Sequence, residues 1–142
     1  MFTVEHQIEI DTAPTDVFSF LDDPRNHLKI TPSLIDVGNV EALPNGGKRA
    51  EYRYKLAGVE LVGQVEDVER STDDHLVQRL SGAIDGTISY DIEDGERTTV
   101  RYKAEYQLPG TVVESVLQPV ARAYNEREAE ATLENLKTFL EN

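Results

Sequence analysis

Apolar and polar residues alternate from the second position of the chain. Phe2, Val4, His6, Ile8 and Ile10 share one face of a strand over 2–10, with Thr3, Glu5, Gln7 and Glu9 on the other. Thr12 and Pro14 then open a short helix: Thr is a capping residue, Pro suits the first turn, and Asp16 sits at the positive helix end. Val17, Phe18, Phe20 and Leu21 give that helix its apolar face. Asp23-Pro24 signals a second helical start over 24–29. Period-two runs follow over 34–43, 48–57, 60–70, 75–81, 84–93 and 97–108. Most are separated by turn signals: Asn45-Gly46-Gly47, Ala57-Gly58, Ser71 to Asp74, and Asp94-Gly95. Short connections between alternating strands predict an antiparallel meander.

The last strand ends at Pro109-Gly110, and a helix-period segment runs on almost to the C-terminus, expected over about 112–141. Val113, Leu117, Val120 and Tyr124 form one stripe of it. Ala129, Leu133, Leu136 and Leu140 form a second stripe out of phase with the first, and Pro119 predicts a kink or fresh start between them. A helix of this length must bury one face, and the only large partner available is the sheet. The pattern as a whole predicts an α+β domain over 1–142: seven antiparallel strands, two short helices after the first strand, and a long closing helix.

Charge changes the picture of partners. Asp and Glu number 27 against 14 Lys and Arg, a net charge of −13, and only five of the bases are Lys. Such a surface repels phosphate backbones, so no nucleic-acid partner is expected. The acids are dispersed, which suits an organism with high internal salt, where the Debye length shrinks to about 3 Å at 1 M; an ordinary acidic protein is the alternative. No run of eighteen apolar residues occurs, so stable membrane insertion is not expected, and the N-terminus lacks the basic and apolar regions of a signal peptide. A cytoplasmic location is the default expectation. Cysteine is absent, which removes disulfides and thiol chemistry.

Tyrosines are the principal candidates for a site. Tyr52, Tyr54, Tyr90, Tyr102 and Tyr106 fall on inward strand positions, and Tyr124 lies on the first stripe of the closing helix. Converging hydroxyls over an apolar wall suit a pocket for a hydrophobic molecule with one or two polar groups. The same rings could equally fill a core. Gln78 shares the parity of Leu76 and Leu80 and is the expected inward polar group of its strand; Arg79 points inward only if a bulge resets the register. Gly63 and Gly86 leave room on inward positions, either for a ligand or for strand bending. His6, on the apolar face of the first strand, reads as a satisfied core residue sooner than a proton-transfer group. His27 and His75 read as solvated. No pair of histidines has metal-ligand spacing, and phosphate loops, nucleophile elbows and Ser-His-Asp spacings are absent, so no metal, cofactor or catalytic set is assigned.

The element order resembles the START-like superfamily with its helix-grip fold, which includes polyketide cyclases and lipid-transfer domains. Three stretches carry the likeness: APTDVFSFLDDPRNHLKITPSL, similar to the first-helix signature; YQLPGTVVESVLQPV, similar to the strand-to-helix junction; and EREAEATLENLKTFLE, similar to the closing-helix tail. The resemblance does not name a ligand; with the residue pattern, the leading expectation is a cavity between sheet and helix that holds a hydrophobic small molecule, a lipid, isoprenoid quinone or polyketide-like aromatic. Its expected lining is Tyr52, Tyr54, Gln78, Ile88, Tyr90, Tyr102 and Tyr106 from the sheet, covered by Leu117, Val120 and Tyr124. A cyclase or dehydratase activity, or a partner-binding module with a filled core, are the alternatives, because one fold hosts many functions.

Overall fold

In the computed structural model the described residues are 2–56, 58–108, 110 and 118–141, with side chains left out at 118–121. The strands are β1 (Phe2–Ile10), β2 (Leu34–Ala42), β3 (Lys48–Leu56), β4 (Val59–Ser71), β5 (His75–Gly82), β6 (Asp85–Glu93) and β7 (Thr98–Gln107). Each lies within a residue or two of its predicted span. They form one antiparallel sheet in the order β1-β7-β6-β5-β4-β3-β2. The meander runs from β2 to β7, and β1 closes the far side, with Phe2 opposite Tyr106 and Ile10 opposite Thr98. Helix α1 (Pro14–Asp22) and a 3-10 helix (Pro24–Lys29) connect the two edge strands. Helix α2 (Gln118–Glu141) packs along β1. This is the helix-grip arrangement of sheet and closing helix. No helix among the described residues is long and apolar enough to cross a membrane.

Local sequence explains most of the ends. Asp23 caps the 3-10 helix, its side chain accepting from the Arg25 amide at 3.0 Å, and Pro24 occupies the first turn. Thr12 does not cap α1. Ala13 holds that position without a side-chain bond, and Thr12 donates instead to Asp16 at 2.9 Å. Pro14 lacks an N–H, so a cap has one fewer donor to satisfy here. The expected change near Pro119, and Val113, Leu117 and the Val120 side chain, lie outside the described residues.

Two apolar clusters flank the middle of the molecule. One joins Ile10, Val17, Phe18, Leu21, Leu76 and Ile92 to Leu133 and Leu136 of α2; the other joins Leu34, Val37, Ala50, Leu61, Leu80 and Ile84 at the β2–β5 side. The second predicted stripe of α2 packs into the first of these clusters, with Leu136 fully buried. Ile88 touches both clusters and belongs wholly to neither.

A bulge in β4 shapes the inner face. Asp67 pairs with Gln78 and Glu69 with Val77, so Val68 is the extra residue. Leu61, Gly63, Val65 and Asp67 follow one inward parity before it; after it the parity shifts and Arg70, opposite Leu76, turns inward. The bulge falls in β4, not at Arg79 of β5, which faces solvent while Gln78 is buried.

Candidate functional site

A cavity of about 110 Å³ lies between the sheet and α2. Among the described residues its apolar wall comes from Leu34 and Val37 of β2, Leu56 of β3, Leu61 and Val65 of β4, Leu80 of β5, Ile88 of β6, and the loop residues Ile84 and Leu108. Strand alternation explains the lining from β3 to β6, while on β2 a register shift between Leu34 and Asp36 brings Leu34 and Val37, three residues apart, to the same face. Tyr52, Tyr54, Tyr90, Tyr102, Tyr106 and Tyr124 all reach the cavity, as do Gln78 and Ile88. Of the ten residues expected to line it, eight do so; Leu117 and the side chain of Val120 lie outside the described residues.

The tyrosines divide into two kinds. The Tyr52 hydroxyl donates to the Ser81 carbonyl at 2.9 Å and accepts from the Ile84 amide at 3.1 Å, so it braces the β5–β6 turn. That is the core-filling role the sequence left open. Tyr54, Tyr90, Tyr102 and Tyr106 make no hydrogen bond to another described residue. Tyr54 packs edge-on against Tyr52 at 5.2 Å between centroids, and Tyr90 against Tyr102 at 5.4 Å. Burial raises the hydroxyl pKa of all four. Neighbouring tyrosines add to this for all four, and Glu128 for Tyr54, Tyr102 and Tyr106. These hydroxyls therefore stay neutral, each able to donate and accept one bond. Tyr124 is more exposed, and its hydroxyl shares a short hydrogen bond with Ser33 that ties α2 to the entry of β2.

His27 corrects the sequence reading. It is buried, not solvated: its Nε2 lies 2.8 Å from the Leu21 carbonyl and its ring meets Tyr90 edge-on at 6.1 Å. The 3-10 turn after Asp23-Pro24 swings it under the sheet. A carbonyl only accepts, so Nε2 carries the proton. Burial lowers the imidazole pKa, outweighing the Leu21 bond and the charges of Asp67 and Asp23, which favour protonation. The ring is neutral with its proton on Nε2, and His27 is among the residues lining the cavity. His6 is half-buried on β1 and is not among the lining residues. His75 is held by Asp91 at 2.5 Å and Glu69 at 3.3 Å on the outer side of the sheet.

Gln78 lines the cavity and is anchored from behind, its Nε2 donating to Asp67 at 3.4 Å. Asp67 is buried, and burial raises its pKa against the opposing bonds from the Lys48 amide and Gln78. Gly63 and Gly86 do not enlarge the cavity. A Cβ at Gly63 would stand 2.1 Å from the Ser81 carbonyl oxygen, and one at Gly86 2.1 Å from that of Glu105. Both glycines permit close approach of neighbouring backbone, where the sequence suggested room for a ligand or strand bending.

Among the described residues the α2 side of the cavity carries polar groups, which periodicity does not reveal. Asn125, Glu128 and Thr132 line it at helical spacing. Asn125 is buried and its Nδ2 has no partner among the described residues; it also borders a second cleft of about 200 Å³ beside β1. Glu128 accepts from the Ser33 amide at 2.8 Å. A polar stripe turned inward has the same spacing as one facing water, so sequence alone does not separate them. No cluster of three or more His, Asp or Glu able to hold a metal occurs among the described residues.

The fold is shared widely among solved structures. The protein TTHA0849 of Thermus thermophilus superposes with a TM-score of 0.81 at 16% identity, covering 96% of this chain and 95% of that one. A START superfamily protein from Mycobacterium smegmatis does so with a TM-score of 0.76 at 13% identity, covering 98% and 97%. The di-domain ARO/CYC BexL from the BE-7585A biosynthetic pathway matches with a TM-score of 0.74 at 19% identity, over 99% of this chain and 50% of that one. No curated protein sequence matches. A family model described as polyketide cyclase / dehydrase and lipid transport matches residues 1–141. By that match over nearly its whole length, the chain belongs to the polyketide cyclase / dehydrase and lipid transport family of the START-like superfamily.

Proposed function

We propose that this protein binds a hydrophobic small molecule, of the size of one or two fused rings or a folded isoprenoid or polyketide segment, between the sheet and α2. The observation that carries the reading is the chemistry of the wall. Tyr54, Tyr90, Tyr102 and Tyr106 bring four neutral hydroxyls without protein partners among the described residues to a sheet face that is otherwise mostly aliphatic. None of these four hydroxyl oxygens is among the fully buried polar atoms that lack a partner, so each is accessible from the cavity, where an occupant can reach it. A ligand with one or two oxygens satisfies them while its carbon skeleton covers the apolar wall.

A second reading is a cyclase or dehydratase, favoured by one observation. His27 is a neutral imidazole among the residues lining the same cavity, and a histidine is a group that can exchange a proton with a bound molecule. The carrier reading needs only the cavity, and so stands first.

Native mass spectrometry of the protein purified in high salt tests the carrier reading by detecting a co-purifying hydrophobic molecule. Once a ligand is in hand, Tyr102→Phe is expected to weaken its binding by about 0.5–1.5 kcal/mol, one hydrogen bond, with the unfolding midpoint unchanged. A Tyr102→Phe protein that binds as before but unfolds more easily would place the hydroxyl in the core instead.

A further inference from the structure

We propose that the cavity selects hydrophobic amines, because its only fixed charge among the described residues is the Glu128 carboxylate, set among tyrosine rings with no basic side chain to neutralise it. The inference rests on the binding reading above and narrows it to one charge class. The Glu128 carboxylate is positioned by the Ser33 amide, which supplies a hydrogen bond but no counter-charge. It makes no ion pair with another described residue. Neither Lys nor Arg lines the cavity among the described residues. Lys48 and Arg70 are both engaged by Asp22, at 3.5 and 2.9 Å, and Arg25 donates to the Val37 carbonyl at 3.3 Å. His27 does not supply a positive charge, since burial disfavours its protonated form.

Each element of this arrangement acts in the same direction on a ligand. An ammonium group gains a charge-assisted hydrogen bond to Glu128 in a partly desolvated setting. Tyrosine rings around it favour a cation through their quadrupoles. A carboxylate or phosphate meets an uncompensated like charge and only neutral donors. The net charge of −13 also attracts cations, but at long range, and salt separates that contribution from the local one.

Three probes with one ring system test the proposal by calorimetric titration near neutral pH: 1-naphthylmethylamine, 1-naphthalenemethanol and 1-naphthoate. The amine is expected to bind about tenfold or more tightly than the alcohol, with naphthoate weakest, and this order is expected to persist in molar potassium chloride. Glu128→Gln keeps an acceptor for the Ser33 amide and is expected to bring the amine-to-alcohol affinity ratio close to one. A preference that disappears in molar salt, or that survives Glu128→Gln, overturns the proposal by assigning it to the surface charge. Alcohol binding without amine preference also overturns it and leaves the cavity reading in place. No binding by any probe overturns both.

Discussion

His27 illustrates what a single residue contributes and how pH reveals it. Its imidazole is less basic in the folded protein than in the unfolded chain, where the usual value is 6.5. Below that value the unfolded chain takes up a proton that the folded one does not, so stability contributed by the neutral ring is complete above it and is lost as pH falls. His75 has the opposite sign. Burial lowers its pKa, but the bonds to Asp91 and Glu69 outweigh this and the net shift is upward. Its contribution is complete below 6.5 and fades as pH rises through its higher folded value. Urea unfolding from about pH 7 to pH 5 is therefore expected to lose stability less steeply in His27→Gln than in the native protein. An unchanged slope would contradict the buried, neutral assignment. That assignment is not legible in the sequence, because the turn that carries His27 inward depends on where the 3-10 helix docks. The inward tyrosines are legible, since Tyr52, Tyr54, Tyr90, Tyr102 and Tyr106 share the parity of the apolar residues on their strands. Which hydroxyls find backbone partners is not, because only the folded turn brings Ser81 and Ile84 to Tyr52.

At the scale of elements, strands are easier to read than the helix that closes them. A strand with one buried face has a strict period of two, so its turn residues and alternation locate it closely. The β4 bulge is invisible in the sequence because Val68 reads as an ordinary apolar position, and its effect on Arg70 follows only from the observed pairing with β5. In α2 the apolar stripe of Ala129, Leu133, Leu136 and Leu140 is legible, while the neighbouring Asn125–Glu128–Thr132 stripe carries no apolar signal to mark it as inward. The clamp of α2 on the sheet is expected to rest on the apolar stripe. Leu136→Ala, at a fully buried site in the cluster with Leu76 and Tyr90, is expected to cost about 2–5 kcal/mol in chemical denaturation. A cost under about 1 kcal/mol would mean that α2 does not hold the fold together as described.

For the whole molecule, charge and cavity are the two properties that matter. A net charge of −13 on 142 residues repels itself at low ionic strength. Thermal stability is expected to rise from dilute buffer to molar potassium chloride as this repulsion is screened. Sulfate is the necessary comparison, since it also strengthens apolar burial. A midpoint that stays flat or falls in chloride would count against a protein built for high salt. The central claim, that the space beneath the sheet is a binding site and not a gap in a core, has a more direct test at Ile88. This residue faces the cavity and touches both apolar clusters. Ile88→Trp is expected to fill the cavity, so that 1-naphthalenemethanol binds the native protein and not the variant, while urea unfolding shifts by less than about 1 kcal/mol. Equal binding by both proteins, or a variant destabilised by about 1–3 kcal/mol as in an overpacked core, would contradict the account.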